Sequence, residues 1–213
     1  MLNQLLKRTT YLATIVIGLA AVGIASADEV NVAGFTLGRF DAQGYASTNS
    51  LLDLSYSNST FDNTTVGGTL DLGGNPNPGA NFNNLGSFTL GLTNDTYDGN
   101  TFNLLANFTA PTVIAGGSSS IFSDKLYGTV RNDLGGVFID FNNTPQTFLF
   151  SNGAAAGWFT LFINDVSVAP GQTASLTGHI MAYQQAVPEP SSLVVLGLGA
   201  FGLARFVRRQ RKV

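Results

Sequence analysis

The heptapeptide Phe102-Asn-Leu-Leu-Ala-Asn-Phe108 decides the fold class of this 213-residue chain. Its apolar residues at positions 102, 104, 106 and 108 alternate with Asn103 and Asn107. In a β-strand, successive side chains point to opposite faces, so a period of two predicts a strand with one buried and one exposed face. The segment therefore predicts a half-buried strand.

The same alternation recurs along the chain, at residues 52–56, 88–93, 137–141, 159–163 and 174–182. Turn-forming pairs separate these segments, and we expect turns at Asp98-Gly99, Gly116-Gly117, Gly135-Gly136 and Pro170-Gly171. Residues 64–84 predict a long loop that contains a short strand at 69–72. Few Lys, Glu and Arg residues are available for surface helices. The pattern predicts an all-β fold, a single antiparallel β-sandwich of the jelly-roll-like or immunoglobulin-like kind.

The C-terminal end combines a Pro188-Glu189-Pro190 hinge, an apolar run from Leu193 to Ala204 and a basic cluster. The basic residues are Arg205, Arg208, Arg209, Arg211 and Lys212. A helix over residues 191–207 is roughly 25 Å long at about 1.5 Å per residue, slightly short of a bilayer core of about 30 Å. Snorkelling of Arg205 extends the span. We predict one transmembrane helix over 191–207, with the basic residues in the cytoplasm.

This order of features resembles the PEP-CTERM sorting signal of bacterial surface proteins, over the last 27 residues of the chain. The resemblance implies that an exosortase, a membrane-embedded cysteine protease, recognises Pro188, Glu189 and Pro190 and cuts there. It also implies that the C-terminal helix holds the exported protein in the inner membrane before processing. The processed protein is then expected at the cell surface or in the extracellular matrix. An ordinary single-pass anchor is the alternative.

The first 27 residues predict a secretory signal peptide. Lys7 and Arg8 precede an apolar region over residues 11–24, and Ala25 and Ala27 occupy the two positions that a signal peptidase reads. A retained N-terminal anchor is the alternative. With a sorting signal at 187–213, residues 28–186 remain as one extracytoplasmic domain, which is long enough to bury a sizeable core.

The body between the two ends is strongly acidic. All 13 acidic residues lie between positions 28 and 189, where Arg39, Lys125 and Arg131 are the only basic residues, which gives a net charge of −10. Without a basic patch the body is a poor partner for nucleic acid, whereas neutral polysaccharide or divalent cations fit better. The chain has no cysteine, so its stability must come from the core rather than from disulfides.

The closing segment, residues 157–180, resembles the final strands that precede the sorting signal in many PEP-CTERM proteins. The resemblance implies a sandwich in which a strand over 159–168 turns at Pro170-Gly171 and returns over 173–183.

Catalytic residue sets are mostly excluded by composition. The single histidine, His179, is expected on an exposed strand position, and no Gly-x-Ser-x-Gly motif precedes it. Glycoside hydrolysis needs two facing carboxylates, and the body's glutamates, Glu29 and Glu189, both lie near its ends. An Asp–Asp pair remains open. We assign no catalytic residue and no cofactor.

One loop concentrates oxygen ligands that suit calcium, at Asn94, Asp95, Asp98 and Asn100. It lacks the spacing of an EF-hand loop and the glutamate that closes one. As a hairpin connection between the segments at 88–92 and 102–108 the loop is fully explained, so we assign no metal site and keep these four residues as weak candidates.

Two aromatic residues are candidate glycan contacts, since flat rings stack on sugars. We expect Trp158 in or near the core, because sandwich cores need large aromatics. We expect Tyr97, in a loop, to present the better exposed ring.

The sequence thus predicts a non-catalytic surface or extracellular-matrix protein, associated with exopolysaccharide through the role that the family resemblance implies. A carbohydrate-binding module or adhesin is the alternative, and an Asp-dependent glycan hydrolase is a distant third. Signal peptidase and exosortase are the expected processing partners, and the C-terminal helix provides the membrane contact.

Overall fold

A computed structural model describes residues 29–73, 83–112, 114–115, 117–142, 144–151 and 155–186. The strands of these ranges are β1 (Asn31–Phe40), β2 (Thr48–Leu51), β3 (Leu54–Ser57), β4 (Thr60–Thr64), β5 (Thr69–Leu72), β6 (Ser87–Leu90), β7 (Thr101–Ala110), β8 (Ile114–Ala115), β9 (Ser119–Arg131), β10 (Leu134–Ile139), β11 (Gln146–Ser151), β12 (Ala155–Ile163), β13 (Val166–Val168), β14 (Thr173–Ser175) and β15 (Gly178–Ala186). The all-β prediction is confirmed.

Within the described ranges there is no helix long and apolar enough to cross a membrane. The predicted helix over 191–207 lies outside those ranges. The same holds for the predicted signal peptide.

The strands form three antiparallel sheets. The six-stranded sheet has the order β13-β10-β9-β7-β1-β4, the five-stranded sheet β5-β15-β12-β11-β8, and the four-stranded sheet β14-β6-β3-β2. The six-stranded sheet packs against both of the others through β7. Phe108 contacts Phe148 and Phe159 of the five-stranded sheet, and Phe102 contacts Phe88 of the four-stranded sheet. The predicted antiparallel sandwich is therefore confirmed.

The core is centred on β7, the strand that the alternation over residues 102–108 predicts. Phe102 is fully buried, with its ring centroid 4.8 Å from that of Phe88 and 5.0 Å from those of Phe40 and Tyr56. Phe108 lies 4.7 Å from the Phe159 ring. The alternation over 102–108 thus places its apolar residues between the layers, as a period of two requires.

A polar network is buried within this core. The Tyr56 hydroxyl lies 2.8 Å from Thr36 Oγ1 and 2.9 Å from the carbonyl oxygen of Leu85. The backbone N–H of Ser59 donates to Thr36 Oγ1 at 3.1 Å. Burial raises the pKa of Tyr56 far above its ordinary value, so the hydroxyl stays neutral and donates a hydrogen bond. The network joins β1 and β3 to the segment before β6.

The closing strands pair as predicted but are connected differently. β12 and β15 are antiparallel neighbours, with Ile163 opposite Gly178. Between them the chain leaves the five-stranded sheet, so that β13 joins β10 and β14 joins β6. The expectation of one continuous strand over 159–168 is wrong, because the strand breaks at Asn164, whose side-chain amide donates to Thr177 Oγ1 at 2.9 Å. The turn at Pro170-Gly171 is confirmed and joins β13 to β14.

The end of the last strand also differs from the prediction. β15 extends to Ala186 rather than ending near Tyr183, since Ala186 still pairs with Ala155 of β12. Only Val187 then separates the strand from Pro188 in the sequence.

Gly135 and Gly136 lie inside β10, not in a turn as predicted. The turn before β10 is formed by Asn132 and Asp133, which have φ values of 50° and 61°. Gly135 has a φ of 97°, and a Cβ there would collide with the carbonyl oxygen of Thr129 on β9. The glycine therefore permits close strand approach rather than chain reversal.

Two apolar residues of the predicted alternation lie beyond strand ends. Leu52 occupies the β2–β3 turn with a φ of 53°, and Leu92 follows β6; both are exposed. The short strand predicted at 69–72 is confirmed as β5, which pairs with β15.

Candidate functional site

The outer face of the five-stranded sheet carries a row of exposed apolar side chains. In the strand register, Leu149 of β11 lies opposite Trp158 of β12, and Trp158 lies opposite Tyr183 of β15. The Trp158 and Tyr183 ring centroids are 6.5 Å apart and the ring planes differ by 26°. The two rings therefore stack with roughly parallel planes across neighbouring strands.

The strand alternation explains why these side chains face outward. Phe159 and Leu161 are buried, so their neighbour Trp158 points to the opposite face, where it is 36% exposed. Ile180 and Ala182 are buried in the same way, which leaves Met181 and Tyr183 outside. We call Leu149, Trp158, Met181 and Tyr183 the Trp158 patch.

The residues around the Trp158 patch are polar or small and uncharged. On one side, Thr147 pairs with Thr160, and their hydroxyl oxygens are 2.8 Å apart. On the other side, Ala156 pairs with Ser151 and Gln185. The patch is thus an uncharged surface on a strongly acidic domain.

The opposite end of the same face is different. His179 of β15 stacks on Phe162, with ring centroids 4.2 Å apart and planes within 6°. Asp71 of β5 lies opposite His179 in the register. Because the imidazole is half-buried against Phe162, the histidine is less exposed than we expected.

The two aromatic residues singled out from the sequence exchange their expected positions. Trp158, expected in or near the core, is exposed, and Tyr97, expected to present an exposed ring, is fully buried. The loop is held to β9 because the Tyr97 backbone N–H donates to the carbonyl of Gly128 at 2.9 Å and Thr96 forms a bridge with Thr129. Burial raises the pKa of Tyr97, and the nearby charge of Asp95 adds to this. Tyr97 is therefore not available for stacking on a sugar.

Three of the four candidate calcium ligands, Asn94, Asp98 and Asn100, are engaged in holding their loop in place. Asp98 Oδ1 accepts the backbone N–H of Gly128 at 2.8 Å, and Asn94 Oδ1 accepts that of Asn132 at 2.7 Å. The Asn100 amide donates to Asp41 at 2.9 Å. Asp95 lines an open depression of about 490 Å³ that Arg131 also lines. Among the described residues, no three His, Cys, Asp or Glu side chains come together as a metal-binding group.

Two other aspartates accept hydrogen bonds from distant segments of the chain in the same manner. Asp41 accepts the backbone N–H of Thr101 at 2.8 Å, and this bond, with the Asn100 amide, lowers the pKa of Asp41. Asp53 accepts the backbone N–H of Thr93 at 3.0 Å, which lowers the pKa of Asp53. Hydrogen bonds to the charged form of a carboxyl favour ionisation.

Leu149, Met181 and Tyr183 are surface residues that our sequence interpretation did not single out. The alternation of β15 contained the signal for two of them, since Met181 and Tyr183 flank the inward-facing Ala182. Leu149 could not be placed beside Trp158 from local sequence, because their neighbourhood depends on the pairing of β11 with β12.

The predicted processing residues lie outside the described part of the chain. These are Ala25 and Ala27 for signal cleavage, Pro188, Glu189 and Pro190 for sorting, and the basic residues Arg205, Arg208, Arg209, Arg211 and Lys212. Their roles stay predictions.

Comparison with known proteins gives one match, at the C-terminal end. The model of the PEP-CTERM protein-sorting motif matches residues 186–212. The matched range begins at the last residue of β15 and contains the predicted hinge, apolar run and basic residues. Neither the curated proteins nor the solved structures provide a match.

Proposed function

We propose that this protein, a PEP-CTERM sorting motif-containing protein, is a non-catalytic component of the cell surface or extracellular matrix. The motif indicates an exosortase-targeted surface protein, and it implies export and membrane anchoring. The sandwich then acts after delivery as a structural domain, without a cofactor, in contact with exopolysaccharide.

The observation that carries the non-catalytic role is how the domain uses its carboxylates. Asp41, Asp53 and Asp98 each accept a backbone N–H from another segment of the chain. Such carboxylates join separate segments of the chain and are held in place by these bonds. A hydrolase instead needs two carboxylates facing one another across a cleft, with one kept protonated. The lowered pKa values of Asp41 and Asp53 are the reverse of what a general acid requires.

The charge of the body supports a matrix rather than a nucleic-acid or anionic-lipid partner. Residues 28–189 have a net charge of −10. High net charge keeps an exported domain soluble and repels anionic polymers, whereas neutral polysaccharide carries no such penalty.

The test compares cells that lack the protein with cells that express it or its Pro188→Ala, Pro190→Ala variant. We expect the cells that lack the protein to lose matrix-bound material. We expect the variant not to restore it. Purified full-length protein, incubated with exopolysaccharide of the same cells, is expected to release no reducing ends. Sugar release that disappears in an Asp→Asn variant would contradict a non-catalytic role.

A sugar-binding function is the second candidate, and the Trp158 patch is the observation that favours it. Exposed aromatic rings suit stacking on pyranose faces. In this case Trp158→Ala abolishes micromolar retention of the full-length protein on exopolysaccharide, measured by affinity electrophoresis. The matched control is Phe138→Ala, which removes an exposed aromatic from the outer face of the six-stranded sheet. Equal retention of both variants would exclude the patch as a sugar site.

A further inference from the structure

We propose that the Trp158 patch contacts the lipid surface while the chain is still anchored through its C-terminal end. This inference rests on the proposed function, because it requires the membrane anchoring that the sorting motif implies. It adds a docking surface on the folded domain and identifies its occupant as the bilayer interface.

The position at which the chain leaves the domain favours a lipid contact. Tyr183 lies three residues before the end of β15, about 10 Å along the strand. Six residues, 187–192, separate β15 from the apolar run that begins at Leu193. At roughly 3.3–3.6 Å per residue they span at most about 22 Å. An anchored chain therefore holds this end of the five-stranded sheet next to the bilayer.

The strand register places the exposed apolar residues of the Trp158 patch at that end of the five-stranded sheet. Leu149 and Trp158 come from β11 and β12, and their pairing with Tyr183 places all three in one row across the sheet. Met181 lies two residues away on the same face of β15. The patch is thus adjacent to the anchored strand although its members are distant in sequence.

The absence of charged side chains around the Trp158 patch, among the described residues, also favours a lipid contact. The rows of Leu149, of Thr147 and of Ser151 contain no Asp, Glu, Lys or Arg. Asp71, the acid that the register places on this face, lies at its far end opposite His179. A domain with twelve acidic and three basic residues over 28–186, a net charge of −9, thus presents an uncharged surface towards the membrane. Trp and Tyr favour the membrane–water interface, where the ring is apolar and its polar group remains hydrated.

The experiment uses the fact that Trp158 is the only tryptophan of the chain. Full-length protein is reconstituted into phosphatidylcholine vesicles, with or without lipids brominated near the top of their acyl chains. Vesicle flotation measures anchoring, and Trp158 fluorescence measures contact. We expect the protein to float with the vesicles and to lose most of its Trp158 fluorescence in the brominated ones.

The patch variant Leu149→Ser, Tyr183→Ser keeps the fluorophore and is expected to lose much of the quenching. The matched control is Tyr127→Ser, Phe138→Ser, which changes an exposed aromatic pair on the six-stranded sheet. This control is expected to retain the quenching. Circular dichroism checks that both variants fold. The fluorescence of the wild-type protein in brominated and plain vesicles tests the lipid contact even if a variant does not fold.

The possible results separate the inference from its premise. A protein that floats with equal fluorescence in brominated and plain vesicles contradicts the lipid contact alone. A protein that does not float contradicts both the contact and the anchoring. Shielding of Trp158 by exopolysaccharide but not by lipid would overturn the inference and favour the sugar-binding alternative.

Discussion

Replacement of Phe102 by alanine is expected to be among the most destabilising single changes in this domain. The ring is fully buried between the six- and four-stranded sheets. It contacts four aromatic rings, with centroid distances of 4.8 Å to Phe88, 5.0 Å to Phe40 and Tyr56, and 6.3 Å to Phe141. The substitution removes contacts to both layers at once.

The magnitude follows from burial and from these ring pairs. Phe→Ala in a core costs about 3–5 kcal/mol, because a cavity remains. Aromatic pairs contribute about 0.5–1.5 kcal/mol each beyond area burial. Four pairs place Phe102 at the upper end, roughly 4–5 kcal/mol. Since domains are stable by about 5–15 kcal/mol, the variant loses about a quarter or more of its free energy of unfolding.

Urea unfolding of the full-length protein in mild detergent, followed by circular dichroism, measures this effect. With a slope of about 2 kcal/mol per molar urea, the midpoint is expected to fall by about 2 M. The control is Phe138→Ala, whose ring is 40% exposed on an outer face, and it is expected to cost less than about 1 kcal/mol. Similar midpoints for the two variants would refute the assignment of Phe102 to the centre of the core.

Three further changes test other parts of the account. Tyr56→Phe removes the buried hydroxyl that bonds to the Leu85 carbonyl and is expected to destabilise by about 1–3 kcal/mol in the same urea assay; an unchanged midpoint contradicts the network. Asp41→Asn is expected to lower stability by more at pH 7 than at pH 3. The folded-state pKa of Asp41 is lowered, so its contribution is present above the ordinary pKa of 3.8 and lost as the pH falls through the folded value. An equal loss at both pH values would exclude the charged hydrogen bonds as its cause. Pro188→Ala with Pro190→Ala is expected to leave the domain folded and uncut, as mass spectrometry of the recovered protein can show; normal processing would exclude the hinge as the recognised feature.

Local alternation was sufficient to predict the fold class and the core strand. Phe102 and Phe108 face the core because a period of two fixes their common side once one of them is buried. The same rule places Trp158 outside, next to the inward-facing Phe159. We expected it inside because sandwich cores contain large aromatics. The alternation predicts the exposed position of Trp158 correctly, because moving one side chain of a strand to the opposite face would also move its neighbours.

Long-range pairing accounts for what could not be predicted. Tyr97 is buried because its loop bonds to Gly128 on β9, a contact that no local pattern contains. β13 and β14 leave the five-stranded sheet to join strands formed about 30 and 85 residues earlier, at Val137 and Phe88. Gly135 resembles a turn residue in sequence, yet its need for glycine arises from the Thr129 carbonyl on the neighbouring strand.

The central claim is that exosortase processing delivers this sandwich to the cell surface. Mass spectrometry of the C-terminal peptide, on protein recovered from surface and medium fractions, tests it most directly. We expect a C terminus near Pro190, without the basic residues from Arg205 onward. Recovery of surface protein that still ends in Arg211-Lys212-Val213 would contradict it.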